Sequence, residues 1–474
     1  MSKDIKSTQL AVIGGGPGGY PAAFLAADLG IEVTLIDTEL NPGGVCLYRG
    51  CIPSKALLHV AKVVTEARHS SNWGVKFSRP EIDVDRLREW KDGVVKKLTG
   101  GLGQLSKQRK INYVRGRASF TDPQTVKIDN QKGDEFLGFD NAIIATGSRP
   151  GKIPGLTLES PHVLDSTSAL DLPGIPKTML VIGGGYIGLE LGTVYAALGT
   201  RVSVVEMTSG LMPGVDRDLV SVLSKRVEKI FDSIMLNTKV VEMKEDKDGI
   251  RVRFEGAEMK EPEQVFEKVL VCVGRKPNSN DLGLENTRVE IDSQGFVEIN
   301  AQRRTAERSI YAIGDVAGEP MLAHKATHEG RVVAEVIAGH EVVFEPRAIP
   351  AVVFTDPEIA WCGLTESQAK QENRAIKIAR FPWTASGRAT TLDRNDGVTK
   401  LIIDPETERI LGMGIVGTGA GELIAEGVLA VEMAARASDL ELTIHPHPTL
   451  SETIMESAEV FFGRSTHLYR PKRD

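Results

Sequence analysis

The chain has 474 residues, 41% hydrophobic and 26% charged, a globular composition that excludes collagen-like, disordered and disulfide-scaffold classes and, at this length, a single small domain. Its 57 basic and 64 acidic side chains are mixed along the chain and leave a net charge of −7, so no basic face is expected for a phosphate backbone and nucleic acid is not an expected partner. Four cysteines in this length suit a reducing compartment, the cytoplasm, where a disulfide is catalytic rather than structural.

Ser7 to Ala27 is 21 residues without a charge, but its five glycines and two prolines break the continuity that a signal core or membrane span needs. Neither is assigned. Within it, Gln9–Ile13 is predicted as a buried parallel strand that runs into Gly14-Gly15-Gly16-Pro17-Gly18-Gly19, a GxGxxG pattern. A helix from Ala22 to Leu29, closed by Gly30, and a strand from Glu32 to Asp37 complete a β-α-β unit. In such a unit Gly14 allows the tight turn, Gly16 lets the backbone approach a pyrophosphate, Gly19 lets helix and strand pack closely, and Asp37 meets a ribose.

Beyond that strand, Gly43-Gly44-Val45-Cys46-Leu47-Tyr48-Arg49-Gly50-Cys51-Ile52-Pro53-Ser54-Lys55 sets two cysteines five positions apart. The pair can close a small disulfide ring, form a metal knuckle, or be two buried thiols. A metal needs further ligands at short spacing; His59 stands alone, while Cys272 and Cys362 lie far away in apolar, strand-like surroundings. No metal site is assigned. Redox chemistry needs one thiolate stabilised by a cation or a helix N-terminus, and Lys55 with a helix expected to start near Ser54 offers both.

The β-α-β unit then recurs. Met179–Ile182 leads into Gly183-Gly184-Gly185-Tyr186-Ile187-Gly188, a helix to Leu198, Gly199, and a strand ending at Glu206. Gly14, Gly16, Gly19 and Asp37 map onto Gly183, Gly185, Gly188 and Glu206 at one shift of 169 positions. Two dinucleotide sites are therefore expected. A looser echo relates Ile143–Pro150 to Leu270–Pro277 at a shift of 127, so the first unit carries 42 extra residues, and these include the cysteine pair. After Glu206 no Lys or Arg occurs until Arg217, which predicts NAD rather than NADP at the second site. After Pro350 the predicted strands Ala351–Phe354, Leu401–Asp404 and Ile410–Val416, with an amphipathic helix from 421 to 435, read as an antiparallel sheet with helices.

With these motifs in place, the chain resembles the pyridine nucleotide-disulfide oxidoreductases over nearly its whole length. The resemblance rests on GGVCLYRGCIPSK, both fingerprints, Ala145-Thr146-Gly147, Thr305 through Asp315, and His445-Pro446-His447-Pro448-Thr449 with Glu452. It implies an α/β fold with two Rossmann-like dinucleotide-binding domains and a C-terminal α+β dimerisation domain. The expected division is 1–150 for FAD, 151–277 for NAD, 278–350 for a return to the FAD domain, and 351–474 for the interface.

The resemblance also implies FAD on Gly14, Gly16, Gly19, Asp37, Gly43, Gly44, Lys55, Ala118, Thr146, Gly147, Asp315 and Ala323. It implies NAD on Gly183, Gly185, Tyr186, Gly188, Glu206, Val240, Gly274 and Arg275. Cys46 would exchange with the substrate, Cys51 would face the flavin, Lys55 would pair with Glu190, and His447 with Glu452 would be the acid–base pair. A histidine near neutrality suits removal of a thiol proton. His445 competes for that role on residues alone; the match selects His447 because Pro448, Thr449 and Glu452 follow it. The i, i+4 pair His324 and His328 lacks an HExxH context, and His328 is expected on an exposed helix face.

The implied reaction is oxidation of dihydrolipoamide to lipoamide with NAD+ as acceptor, in a homodimer with shared active sites. Its partner would be a lipoylated acyltransferase or carrier protein of a 2-oxoacid dehydrogenase or glycine cleavage system, a separate chain because no lipoyl domain precedes Gln9. Tyr48, Asp37 and Pro446 depart from the commonest family residues, and Tyr186 resembles the gating tyrosine of glutathione reductases. Reduction of a glutathione-like disulfide is the second reading, disfavoured by Ser54 and by the missing cations for NADP. A docking subunit without chemistry is the third, opposed by the intact Cys46, Cys51, Lys55, His447 and Glu452.

Overall fold

The computed structural model describes residues 6–130, 133–256 and 261–469. The fold is α/β, with two Rossmann-like units followed by an α+β unit. The first sheet runs in the order Asn112–Arg115, Val33–Asp37, Lys6–Ile13, Gly133–Ile144, Thr125–Asn130, Arg117–Asp122, and Ile310–Ala312 rejoins it beside Gly133–Ile144. Its central strands pair in parallel. Leu10, Ala11 and Val12 are fully buried, the uninterrupted apolar run expected of a parallel strand covered on both faces.

The second sheet, Ser233–Met235, Arg201–Val205, Thr178–Ile182, Lys268–Val271 and Val163–Leu164, is parallel throughout. Its register repeats that of the first. Ile13 lies opposite Ile144, and Ile182 lies opposite Val271; the first members differ by the shift of 169 and the second by the shift of 127. Both echoes seen in the sequence are thus one packed arrangement built twice. Between the two units, Ser148–Pro150 and Arg275–Pro277 pair antiparallel.

The surplus of the first unit is helical: Gly44–Arg49, Cys51–His69 and Val84–Gln108. The cysteine-bearing helix begins at Cys51, three residues before the expected start near Ser54. Pro53 falls in its first turn, where N–H groups have no intrahelical partner and a missing one costs little. The C-terminal sheet is antiparallel, in the order Ala351–Val353, Glu358–Gly363, Ile410–Gly417, Val398–Ile403, Lys377–Pro382. The helix expected over 421–435 is Ala420–Glu432, and a further helix, Glu452–Phe462, packs on the same core. Among the described residues no helix is long and apolar enough to cross a membrane.

Candidate active site

The first GxGxxG turn is held by contacts that only glycine permits. Gly14 has φ +103° and a Cβ there would lie 2.3 Å from the carbonyl oxygen of Ala145; one on Gly19 would lie 1.8 Å from that of Gly14. The second turn repeats both contacts, Gly183 against Cys272 and Gly188 against Gly183, each at 2.4 Å. Gly16 and Gly185 instead face open space, with nothing closer than 3.9 Å to their missing Cβ atoms. That is the geometry a pyrophosphate needs at a helix N-terminus. The strand-end acids brace the turns: Gly15 N–H donates to Asp37 Oδ2 at 2.5 Å, and Gly184 N–H donates to Glu206 Oε2 at 2.7 Å.

Gly43 and Gly44 tie the cysteine segment to the first turn. Gly43 N–H donates to Gly15 O at 2.7 Å. A Cβ on Gly44 would meet Gly16 Cα at 2.4 Å, so the helix carrying Cys46 leaves directly from the nucleotide turn. Tyr48 stabilises this departure, its hydroxyl donating to Asn41 O at 3.0 Å and accepting from Asn41 N–H at 3.2 Å.

Together these elements enclose a cleft of about 710 Å³, within the usual range of a cofactor site. Gly14, Gly16, Asp37, Gly44, Ala118, Thr146, Gly147, Asp315 and Ala323 all line it, as do Cys46, Cys51, Lys55, Tyr186, Glu190 and Arg275. Ala323 opens the helix Ala323–Ile337, whose first N–H groups present partial positive charge there. The residues present fit an extended dinucleotide with an aromatic head beside the cysteines. Gly183, Gly185, Gly188, Glu206, Val240 and Gly274 lie outside this lining, around the second turn and the strand Thr238–Asp246.

Cys46 and Cys51 lie together as free cysteines in the cleft, close enough for each to set the charge of the other. The hydrogen bond from Cys46, helped by Lys55 and opposed by burial, lowers Cys51 to about 7; the same partnership and burial push Cys46 up. Cys51 is therefore the thiol that carries charge in the reduced state. It occupies the first position of its helix, where the backbone dipole favours an anion.

Glu190 organises the other side. It is buried, and its Oε2 accepts from Lys55 Nζ at 2.8 Å and Ser54 Oγ at 3.0 Å, while Oε1 accepts from Phe354 N–H at 2.9 Å. Lys55 Nζ also sits 4.5 Å over the Phe354 ring. One carboxylate thus joins the cysteine helix, the second nucleotide helix and the entry to the C-terminal sheet. The resemblance implied Lys55 with Glu190; Ser54 and Phe354 were read only as a helix start and a strand end, since neither has a spacing signal for this carboxylate.

Arg275 was grouped with the second turn. Its guanidinium is instead committed to Ser148, donating to Oγ at 2.7 Å and to the carbonyl at 2.8 Å, and it lies 3.9 Å from Asp315. Ser148 in turn donates to Asp315 Oδ2 at 2.5 Å. Ser148 was not singled out, although the 127-residue echo sets it against Arg275 in sequence.

His447 Nδ1–H donates to Glu452 Oε1 at 2.8 Å, and Thr449 N–H donates to Oε2 at 2.7 Å. Burial works to raise Glu452, but the Thr449 and His447 bonds outweigh it and hold the carboxylate ionised. The His447 side chain is 75% exposed, and its bond to Glu452 uses Nδ1, leaving Nε2 without a partner among the described residues. His445 differs: it is 4% exposed, Nδ1 faces Thr443 O at 2.9 Å, and Nε2 faces Glu426 at 2.8 Å. Of these two, only His447 has a ring nitrogen to offer a substrate. Neither His447 nor Glu452 lines the cleft of the cysteines in the same chain. His328 is exposed on its helix.

The family described as pyridine nucleotide-disulphide oxidoreductase matches residues 8–330, and its dimerisation domain matches residues 349–458. Dihydrolipoyl dehydrogenase of Vibrio cholerae is 48% identical, covering 100% of this chain and 99% of the relative. That of Haemophilus influenzae is 50% identical over 100% and 98%. Among solved structures, LpdA from Mycobacterium tuberculosis superposes with a TM-score of 0.88 at 25% identity, covering 95% of this chain and 99% of the other. The HOCl-induced flavoprotein disulfide reductase RclA of Escherichia coli gives 0.86 at 25%, over 96% and 99%.

Proposed function

This chain belongs to the pyridine nucleotide-disulphide oxidoreductase family, and from that premise we infer that it is a dihydrolipoyl dehydrogenase, oxidising dihydrolipoamide to lipoamide with FAD and NAD+. The observation that carries the reading is the Cys46–Cys51 pair at the end of the nucleotide cleft, with Lys55 and Glu190 beside it. When bound, FAD accepts the electron pair of the dithiol and passes it to NAD+ as hydride.

The chain's own residues carry the sulfur chemistry. A substrate thiolate attacks Sγ of Cys46 in the oxidised pair, the Cys46–Cys51 bond breaks, and Cys51 leaves as the thiolate that Lys55 and its helix terminus favour. The second substrate thiol gives its proton to His447 Nε2 and attacks the substrate sulfur of the mixed disulfide. Cys46 is released, and the substrate closes to a cyclic disulfide. Glu452 holds Nδ1–H, fixes the tautomer and stabilises the imidazolium. Glu206, with no cation before Arg217, favours NAD+; Arg217 donates to the carbonyl oxygens of Leu211, Met212 and Val215 and is not free for a 2′-phosphate.

The chain forms a homodimer through its dimerisation domain. Since His447 stands away from the cysteine cleft of its own chain, each active site takes Cys46 and Cys51 from one subunit and His447 with Glu452 from the other. The reductant is the lipoyl group of a separate acyltransferase or carrier protein of a 2-oxoacid dehydrogenase or glycine cleavage system, and a chain whose thiols must cycle works in the reducing cytoplasm. Mixed dimers test the shared site. Cys46→Ser and His447→Gln homodimers should each lose lipoamide turnover while keeping flavin, and co-expressed heterodimers should recover about a quarter to a half of it. Heterodimers as inactive as both parents would contradict sharing.

A further inference from the structure

The helix Glu452–Phe462 carries a second carboxylate one turn beyond Glu452. Glu456 is buried, its Oε2 accepts from Ser465 Oγ at 2.6 Å, and its Oε1 is bound to His467 Nδ1. The chain reverses at Gly463, which has φ +75°, and runs back along the helix it has just left. Arg464 N–H donates to Glu459 O at 3.0 Å, Thr466 N–H donates to Glu459 Oε2 at 3.2 Å, and His467 is delivered to the side of the helix where Glu456 stands. Residues four apart on a helix share a face. Two imidazole–carboxylate pairs, His447 with Glu452 and His467 with Glu456, are therefore stacked on consecutive turns.

We propose that His467 and Glu456 are a positioning pair that sets the electrostatic field at His447 and Glu452 and so tunes the proton transfer of the reaction. The inference rests on His447 being the base. Glu452, Glu456 and Glu459 place three carboxylates within two turns, and an unpaired Glu456 would add negative charge where His447 must lose and regain a proton. His467 cancels that charge. The hydrogen bond to Glu456 raises its pKa against the effect of burial, with Glu452 and Glu459 adding to it, and His467 in turn helps lower Glu452. Among the described residues, the other charged side chain of this tail, Arg464, is paired with Glu441 on the helix Ala437–Leu442 and faces Glu459 and Glu408. It is not free to replace His467. The His467 side chain is 58% exposed, so its influence is screened by salt.

The test is the pH dependence of kcat/KM for dihydrolipoamide oxidation by the flavin-loaded dimer, whose acid limb reports protonation of the base in free enzyme. His467→Gln should move that limb to higher pH by about half a unit, the scale of one charge at roughly a helical turn in a partly exposed setting. His467→Lys, which restores the charge, should return the limb to within about 0.2 of the parent. In 0.5 M salt the His467→Gln shift should shrink by about half or more. A His467→Gln profile that overlays the parent, or Gln and Lys variants that shift alike, would overturn the inference and leave His447 as the base. A His447→Gln enzyme that kept the parent profile would overturn the underlying reading instead.

Discussion

The two nucleotide units share a turn, a register and a bracing acid, yet they are fastened to the C-terminal unit in different ways. Besides Lys55 over the Phe354 ring, the first unit reaches it through exposed polar contacts, where Asp393 accepts from Trp73 Nε1–H and meets His69 Nε2, both at 3.1 Å. The second reaches it through a buried ammonium: Lys400, 1% exposed, donates to Asp216 at 2.7 Å and to Asp218 and Glu366 at 2.8 Å. Burial opposes the charge on Lys400, but the three carboxylate bonds outweigh it and raise its pKa. The loaded contact lies at the unit without the cysteines. The unit that carries the sulfur chemistry is joined to the interface by Glu190, by Lys55 over Phe354, and by apolar and surface contacts without a buried ion pair of this kind.

Substitution at the two junctions should separate them most. Lys400→Met leaves the buried Asp216 carboxylate without its cation, while Arg380 still pairs with Asp218 and Glu366, and should cost about 3 kcal/mol of stability, read as a lowered midpoint in denaturant. Asp393→Asn, at an exposed junction, should leave the midpoint close to that of the parent. Equal losses would erase the distinction.

The next contrast lies in the turns themselves. Gly19→Ala and Gly188→Ala place the same methyl against the same carbonyl in the two units, each costing about 1–3 kcal/mol of local strain. Gly19→Ala should release flavin on gel filtration while spectroscopic NADH binding persists in the protein that retains it. Gly188→Ala should keep flavin and weaken NADH by about tenfold or more. If both variants lost the same ligand, the assignment of one nucleotide to each turn would fail.

The smallest effect concerns the thiols. Cys51, lowered to about 7, is a thiolate above that pH and becomes a neutral thiol as pH falls through it. Lys55→Met removes a supporting charge and should raise the midpoint by about one pH unit, or ~1.4 kcal/mol, read from the alkylation rate of reduced protein against pH. An unmoved midpoint would assign the lowering to Cys46 and the helix terminus alone.

What the sequence disclosed was whatever depends on the backbone. Gly14, Gly19, Gly183 and Gly188 were legible because each contact excludes a Cβ, and only one residue type satisfies that. The pairing of His447 with Glu452 came from the family resemblance alone; on the residues His445 competed for it, and only the fold shows both His445 ring nitrogens already taken. Lys400 gave no such signal: its partners are 34 to 184 positions away, and in sequence it is one lysine within a strand. The second bond of Glu190, to Phe354, and the turn of Arg275 toward Ser148 are likewise products of how domains meet. The cysteine helix starts at Cys51 rather than near Ser54, and Pro53 is tolerated in its first turn because a proline there loses no hydrogen bond.

The central claim is that opening and closing of the Cys46–Cys51 pair is an obligatory stage between dihydrolipoamide and NAD+. It is tested most directly by anaerobic addition of one equivalent of dihydrolipoamide to the oxidised, flavin-loaded dimer, counting alkylatable cysteines by mass before and after NAD+. The account predicts that Cys46 and Cys51 alone become alkylatable, and that NAD+ returns both to the disulfide with one NADH formed per chain. NADH formed while both cysteines stay unreactive throughout, or formed equally well by Cys46→Ser, would contradict it.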